Sequence, residues 1–152
     1  MQKVTTFLTF ESRGKEAVDF YVSIFKNSKV NGSMVMPGSD QLLHASFSLD
    51  GQEFMAMDGG KDFTFTHGVS LFVTCEDQEE VDYFWEKLGE GGEYIQCGWL
   101  KDKFGVSWQI IPKALGELMR SAAPDQAQRV QAAMLKMVKI DVAGLQKAYD
   151  QA

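Results

Sequence analysis

The sequence predicts an α+β chain in which a strand–helix–strands unit occurs twice and is followed by a helical tail. Three observations carry that reading. Glu16-Ala17-Val18-Asp19-Phe20-Tyr21 aligns with Glu79-Glu80-Val81-Asp82-Tyr83-Phe84 at a shift of 79 − 16 = 63, and at the same shift Leu8 falls on Leu71 and Phe10 on Val73. A turn at Asp50-Gly51 is answered by one at Asp102-Phe104-Gly105. After Pro112 the composition changes to Ala, Gln, Met and Lys. Self-similarity of this kind marks one supersecondary unit used twice.

Residues 4–10 are β-branched and aromatic, which suits a strand. In 16–25, Ala17, Phe20 or Tyr21, Ile24 and Phe25 recur at helical spacing, leaving one apolar face. Strand-like pieces follow at 30–36, 42–49 and 53–57. The last two are joined by Asp50-Gly51, a hairpin signal because both turn positions take φ > 0. The order then restarts with a strand over 67–75. Val81, Phe84, Trp85 and Leu88 give an amphipathic helix, with Glu76, Asp77, Glu79 and Glu80 at its start, where the helix dipole favours acids. Strands are expected at 94–100 and 106–111, and short helices at 114–121, 124–138 and 141–150. Pro124 sits at a first-turn position and Asp141 at a capping one. The organisation is one domain over 1–112, made of modules at about 1–62 and 63–112, with a helical extension over 113–152. The tail is expected to pack on the outer surface of the sheet or on a second subunit.

The 152 residues are 45% hydrophobic and 24% charged, ordinary for a globular protein. With 21 acidic against 15 basic residues and no Lys/Arg run, nothing offers a footprint for nucleic acid or an anionic membrane surface. Cys75 and Cys97 are too few for a disulfide framework and read as reduced thiols, although Cys75 at a helix start could have a lowered pKa. No secretory leader and no membrane-length apolar run is read, so a soluble, cytoplasmic protein is expected.

Three stretches, Leu49-Asp50-Gly51-Gln52, Cys75-Glu76-Asp77-Gln78 and above all Cys97-Gly98-Trp99-Leu100-Lys101-Asp102-Lys103-Phe104-Gly105-Val106-Ser107-Trp108-Gln109-Ile110-Ile111-Pro112, give the chain a family likeness. With these and the repeated helix letters, it resembles the vicinal oxygen chelate superfamily, which includes glyoxalase I, bleomycin-resistance and extradiol dioxygenase proteins, and within it the PhnB-like branch. The resemblance implies paired βαβββ modules forming a curled mixed sheet around a cavity, and a homodimer. PhnB-like proteins often carry the label 3-demethylubiquinone 3-methyltransferase. The chain argues against that activity: no G-x-G-x-x-G follows a strand, and there is little room for a cofactor domain.

The resemblance also implies a divalent metal held by four strands. The matching positions are Thr5, Met55, Gly68 and Gln109, none of them His or Glu. His44, His67 and Gln109 are the remaining metal candidates, with His67 expected on the helix-covered face alongside Val69, Leu71 and Val73. Strand alternation assigns a second set of residues to the cavity: Phe7, Thr9, His44, Ser46, Met55, Met57, Phe72 and Gln109. Thr5, Ser70 and Ser107 share those faces. Trp99 lines the cavity or a dimer surface, and Trp108 belongs to the core. Asp58, Asp62 and Asp102 read as solvated turn acids. Apolar walls with a few polar groups suit a small-molecule pocket. The expected function is therefore binding of a small molecule, aromatic or quinone-like, by a protein with a degenerate metal site and no cofactor. The alternative is a metal-dependent lyase or dioxygenase with a rebuilt site.

Overall fold

The computed structural model describes residues 2–151 and divides into two compact units, one ending at Phe65 and the other running from Thr66. In the first unit, β1 (Thr6–Phe10) leads into α1 (Gly14–Ile24), followed by β2 (Lys29–Val35), β3 (Leu42–Leu49) and β4 (Gln52–Asp58). The sheet order is β1-β4-β3-β2, with β1 parallel to β4 and the other neighbours antiparallel. Alternation splits each strand. Leu8, Phe10, Ala45, Phe47, Phe54 and Ala56 are buried together with Ala17, Val18, Tyr21 and Ile24 of α1. The β3–β4 turn has φ of 48° at Asp50 and 81° at Gly51, so Gly51 meets a left-handed requirement that a side chain would resist.

The second unit repeats the plan with β5 (Leu71–Cys75), α2 (Gln78–Gly89), β6 (Glu93–Tyr94), β7 (Trp99–Lys101) and β8 (Ser107–Pro112). Its order, β5-β8-β7-β6, is the first order advanced by four, again with one parallel pair. The duplication is thus one of topology as well as of letters. Register refines the shift: Phe7 faces Met55 and Phe72 faces Gln109, so the first strands correspond at 72 − 7 = 65. The difference from 63 is even, which preserves every side chain's face.

The strand expected over 67–75 begins only at Leu71, opposite Trp108; the ladder with β8 does not extend back to Ser70 and Ser107. His67 and Gly68 lie in a turn before it. The strand expected over 94–100 is split into β6 and β7, and the 124–138 helix stops at Leu135. Three helices close the chain: α3 (Lys113–Ser121), α4 (Pro124–Leu135) and α5 (Val142–Asp150). Val130, Ile140, Leu145 and Ala148 form a cluster with Ile111 at the end of β8, so the tail packs within the second unit. Gly98, at φ 84°, permits this approach: a Cβ there would stand 2.9 Å from Ile110 O and 3.1 Å from Ile140.

Capping differs from expectation at one end. Asp77 accepts from Glu80 N at 3.0 Å, as an N-cap acid should. Asp141 occupies the N-cap position of α5 without a capping bond, and Val142 N instead donates to Gln78 Oε1 at 2.7 Å. Gln78 also donates to Ile140 O at 3.0 Å, which fastens the tail to the start of α2.

Candidate functional site

Each sheet covers one face with its helix and leaves the other open, and the nine residues expected to line a cavity fall on those open faces. In the first unit, Phe7, Met55 and Ser46 form one row across β1, β4 and β3. Thr9 and Met57 pair one step further along. His44 is exposed and faces Met34 on β2, its ring 6.4 Å from Phe7 and tilted by 56°. Phe7 is 44% exposed although its neighbour Leu8 is buried, which is alternation at work.

In the second unit, Phe72, Gln109 and Trp99 form the matching row across β5, β8 and β7. Gln109 donates from its amide to Ser70 Oγ at 3.0 Å. Ser107, two residues earlier on the same face, lies 2.7 Å from Nδ1 of His67, whose ring stands at 89° to Trp99 with centroids 6.3 Å apart. His67 therefore belongs with the open face and not with the helix-covered side. Starting the strand at Leu71 releases His67 from the parity of Leu71 and Val73. None of the nine residues carries a formal charge. Lys101 faces Ser107 in register on the same side of the second sheet.

Two of the three carboxylates expected to be solvated are buried and structural. Asp58, 4% exposed, accepts from Gly14 N at 2.8 Å and Leu42 N at 2.9 Å, tying the start of α1 to β3. Asp102, 2% exposed, accepts from Phe104 N, Val106 N and Trp108 Nε1 at 2.8, 3.0 and 2.8 Å. These bonds satisfy the β7–β8 turn and hold Trp108, itself 2% exposed, in the core. Asp62 is exposed. Cys75 is also unlike its expectation: burial above all, then the carboxylates of Glu80 and Asp77, pushes its thiol up to about 12. The helix start expected to stabilise a thiolate is instead crowded with acids.

The donor set implied for a metal does not fit one. Thr5 lies just before β1, Met55 offers a thioether, Gly68 has no side chain, and the Gln109 amide is engaged by Ser70. Hard divalent cations are held by oxygen donors, carboxylates above all, and borderline ones by imidazole. Among the described residues no three His, Cys, Asp or Glu side chains are grouped to hold a metal ion. A groove of about 940 Å³ lies elsewhere, at the start of α1, where Glu11, Arg13, Lys15, Glu16 and Asp19 meet Val35, Ser39 and Asp40. Strand alternation gave no hint of it. Arg13 and Lys15 are held by Glu16 at 2.7 Å and Asp19 at 2.9 Å, so its cations already have partners.

Two mixed sheets with the same strand order, each carrying one helix and an open face, define a glyoxalase-like protein of the vicinal oxygen chelate superfamily. Residues 2–111 match the family described as 3-demethylubiquinone-9 3-methyltransferase, and the chain belongs to that family. A Bacillus cereus PhnB protein bearing the same description is 40% identical, with a TM-score of 0.70 over 73% of this chain and 99% of that one. The Pseudomonas aeruginosa protein PA1353 shares the fold at 18% identity, with a TM-score of 0.60 over 74% of this chain and 98% of its own. So does the Listeria monocytogenes fosfomycin resistance protein FosX, solved with Mn(II) and sulfate, at 14% identity and a TM-score of 0.50 over 71% and 90%. No curated protein matches the chain. Among the described residues no helix is long and apolar enough to cross a membrane.

Proposed function

We propose that this chain binds a small planar molecule, aromatic or quinone-like, on the open faces of its sheets, without a resident metal and without methyl transfer. One observation supports this above others: in a chain of net charge −6, all nine open-face residues named above are uncharged. They combine flat or flexible apolar groups (Phe7, Met55, Met57, Phe72, Trp99) with neutral hydrogen-bonding ones (Thr9, His44, Ser46, Gln109). That composition suits an apolar ring bearing a few oxygen atoms, and it suits a metal-chelating substrate poorly. At the four positions where the resemblance implies metal ligands, this chain has Thr5, Met55, Gly68 and Gln109.

The reading against methyl transfer rests on the strand-to-helix turns. A nucleotide-type methyl donor is expected at a glycine-rich turn ending a strand of a parallel sheet. Here each sheet has a single parallel pair. The starts of both helices are occupied by carboxylates, Asp58 on Gly14 N and Asp77 on Glu80 N. We further propose a homodimer, for which Met119, Leu135 and Val138 on the tail offer exposed apolar contacts.

A thermal-shift panel of aromatic and quinone-like compounds, run with chelator present, tests the reading. A binder at 100 times its dissociation constant adds about 2.7 kcal/mol. Absence of any shift across the panel contradicts it, and light scattering on the eluted protein reads the oligomer.

A further inference from the structure

Given a second sheet face that takes a small planar molecule, as proposed above, we propose that His67, held by Ser107 as the tautomer protonated on Nε2, is the donor that binds a carbonyl oxygen of that molecule beside Trp99. The argument begins at Ser107. It is 2% exposed, and among the described residues its side chain has one partner, Nδ1 of His67 at 2.7 Å. A hydroxyl carries one proton, and a buried proton without an acceptor is costly. If Nδ1 carried the ring proton, it would donate to Oγ and leave the Ser107 proton with no acceptor. Only when Ser107 donates to Nδ1 are both groups satisfied, and the imidazole proton then resides on Nε2.

That nitrogen has no partner among the described residues, and the ring is exposed. His67 thus presents an N–H donor from a ring fixed twice, by Ser107 and by its perpendicular contact with Trp99. Gln109, engaged by Ser70, lies two strand steps from Ser107, roughly 7 Å along β8. Across β7 the same face carries Lys101, registered against Ser107 on one side and Glu93 on the other. A preset donor beside an indole and an amide selects a flat ring whose carbonyl oxygen accepts a hydrogen bond. A pure hydrocarbon of equal shape would leave that N–H without a partner.

His44 provides the internal control. It also lies beside an aromatic ring on an open face, but no hydrogen bond among the described residues fixes its tautomer. With only two histidines in the chain, nitrogen-15 NMR of labelled imidazoles resolves both. At mildly alkaline pH the wild type is expected to show His67 protonated on Nε2. Ser107→Ala should move it toward the tautomer mixture of a free imidazole, and Ser107→Thr should restore it. A His67 proton on Nδ1 in the wild type overturns the proposal.

The binding arm compares acetophenone with α-methylstyrene, which replaces the carbonyl oxygen by CH₂. A preference of roughly 3- to 10-fold for acetophenone is expected from one hydrogen bond. It should be lost in His67→Phe and kept in Gln146→Ala, a change on the exposed side of α5. Equal binding of the two compounds overturns the donor role alone. Binding of neither overturns the sheet face as a binding surface, and the donor with it. Should Ser107→Ala fail to fold, the contrast between His67→Phe and Gln146→Ala decides.

Discussion

The two units are built on one strand order yet stabilise it differently. In the first, the strands run to five, seven, eight and seven residues, and one helix covers the sheet. In the second they shrink to five, two, three and six, and three extra helices add a separate cluster at the end of β8. Each unit also buries one carboxylate, but at unlike places. Asp58 ends β4 and joins segments 44 and 16 residues away, whereas Asp102 organises its own turn and the indole of Trp108. A duplicated topology therefore leaves the means of support free to diverge. Here the unit with shorter strands relies more on a polar turn and a tail.

That contrast makes its own predictions. Asp102→Ala leaves three donors without their acceptor and should cost roughly 3–5 kcal/mol by chemical denaturation. Asp58→Ala orphans two and should cost roughly 2–3 kcal/mol. An Asp102→Ala loss below that of Asp58→Ala would reverse the comparison. Leu145→Ala, fully buried in the tail cluster, should cost about 2–4 kcal/mol if the tail is part of the second unit's core. Unfolding energetics indistinguishable from wild type would mean that the tail is a passenger.

Smaller effects follow. The Cys75 thiol, buried and pushed up to about 12, should resist a thiol reagent in the native protein while half-buried Cys97 reacts. Two fast thiols per chain would contradict the packing of β5 against α2. Lys139→Ala should cost at most a few tenths of a kcal/mol, since the Lys139–Asp82 pair is exposed. Lys139, with help from Gln78, lowers the pKa of Asp82. The stability contributed by this carboxylate is thus present above its unfolded value and lost as pH falls through its folded one. The difference between variant and wild type should accordingly shrink in acid.

Much of this was legible in the chain because alternation is local. Leu8 and Phe10 on one face and Phe7 and Thr9 on the other follow from a period of two, so the sides of β1, β3 and β4 could be assigned without a structure. His67 could not, because nothing in HGVSLFVTC announces that β8 ends its pairing opposite Leu71. Asp58 was misread for a similar reason: its donors lie at Gly14 and Leu42, beyond any local motif. Asp102 carried a readable signal, since its acceptor bonds reach residues two, four and six positions on, the first of them a turn pattern typical of Asp. Asp141 occupies a capping position, but a glutamine 63 residues earlier already engages the first amide of α5. Donor chemistry at the expected metal positions could be read directly, because identity alone decides it.

The central claim is a binding surface that needs no metal. Calorimetric titration of the strongest binder from the aromatic and quinone-like panel, in chelator and again with added Mn²⁺, tests it most directly. The uncharged side chains of Phe7, Met55, Phe72, Gln109 and Trp99 predict the same affinity in both. Binding that appears only with Mn²⁺ and disappears in chelator would contradict the account.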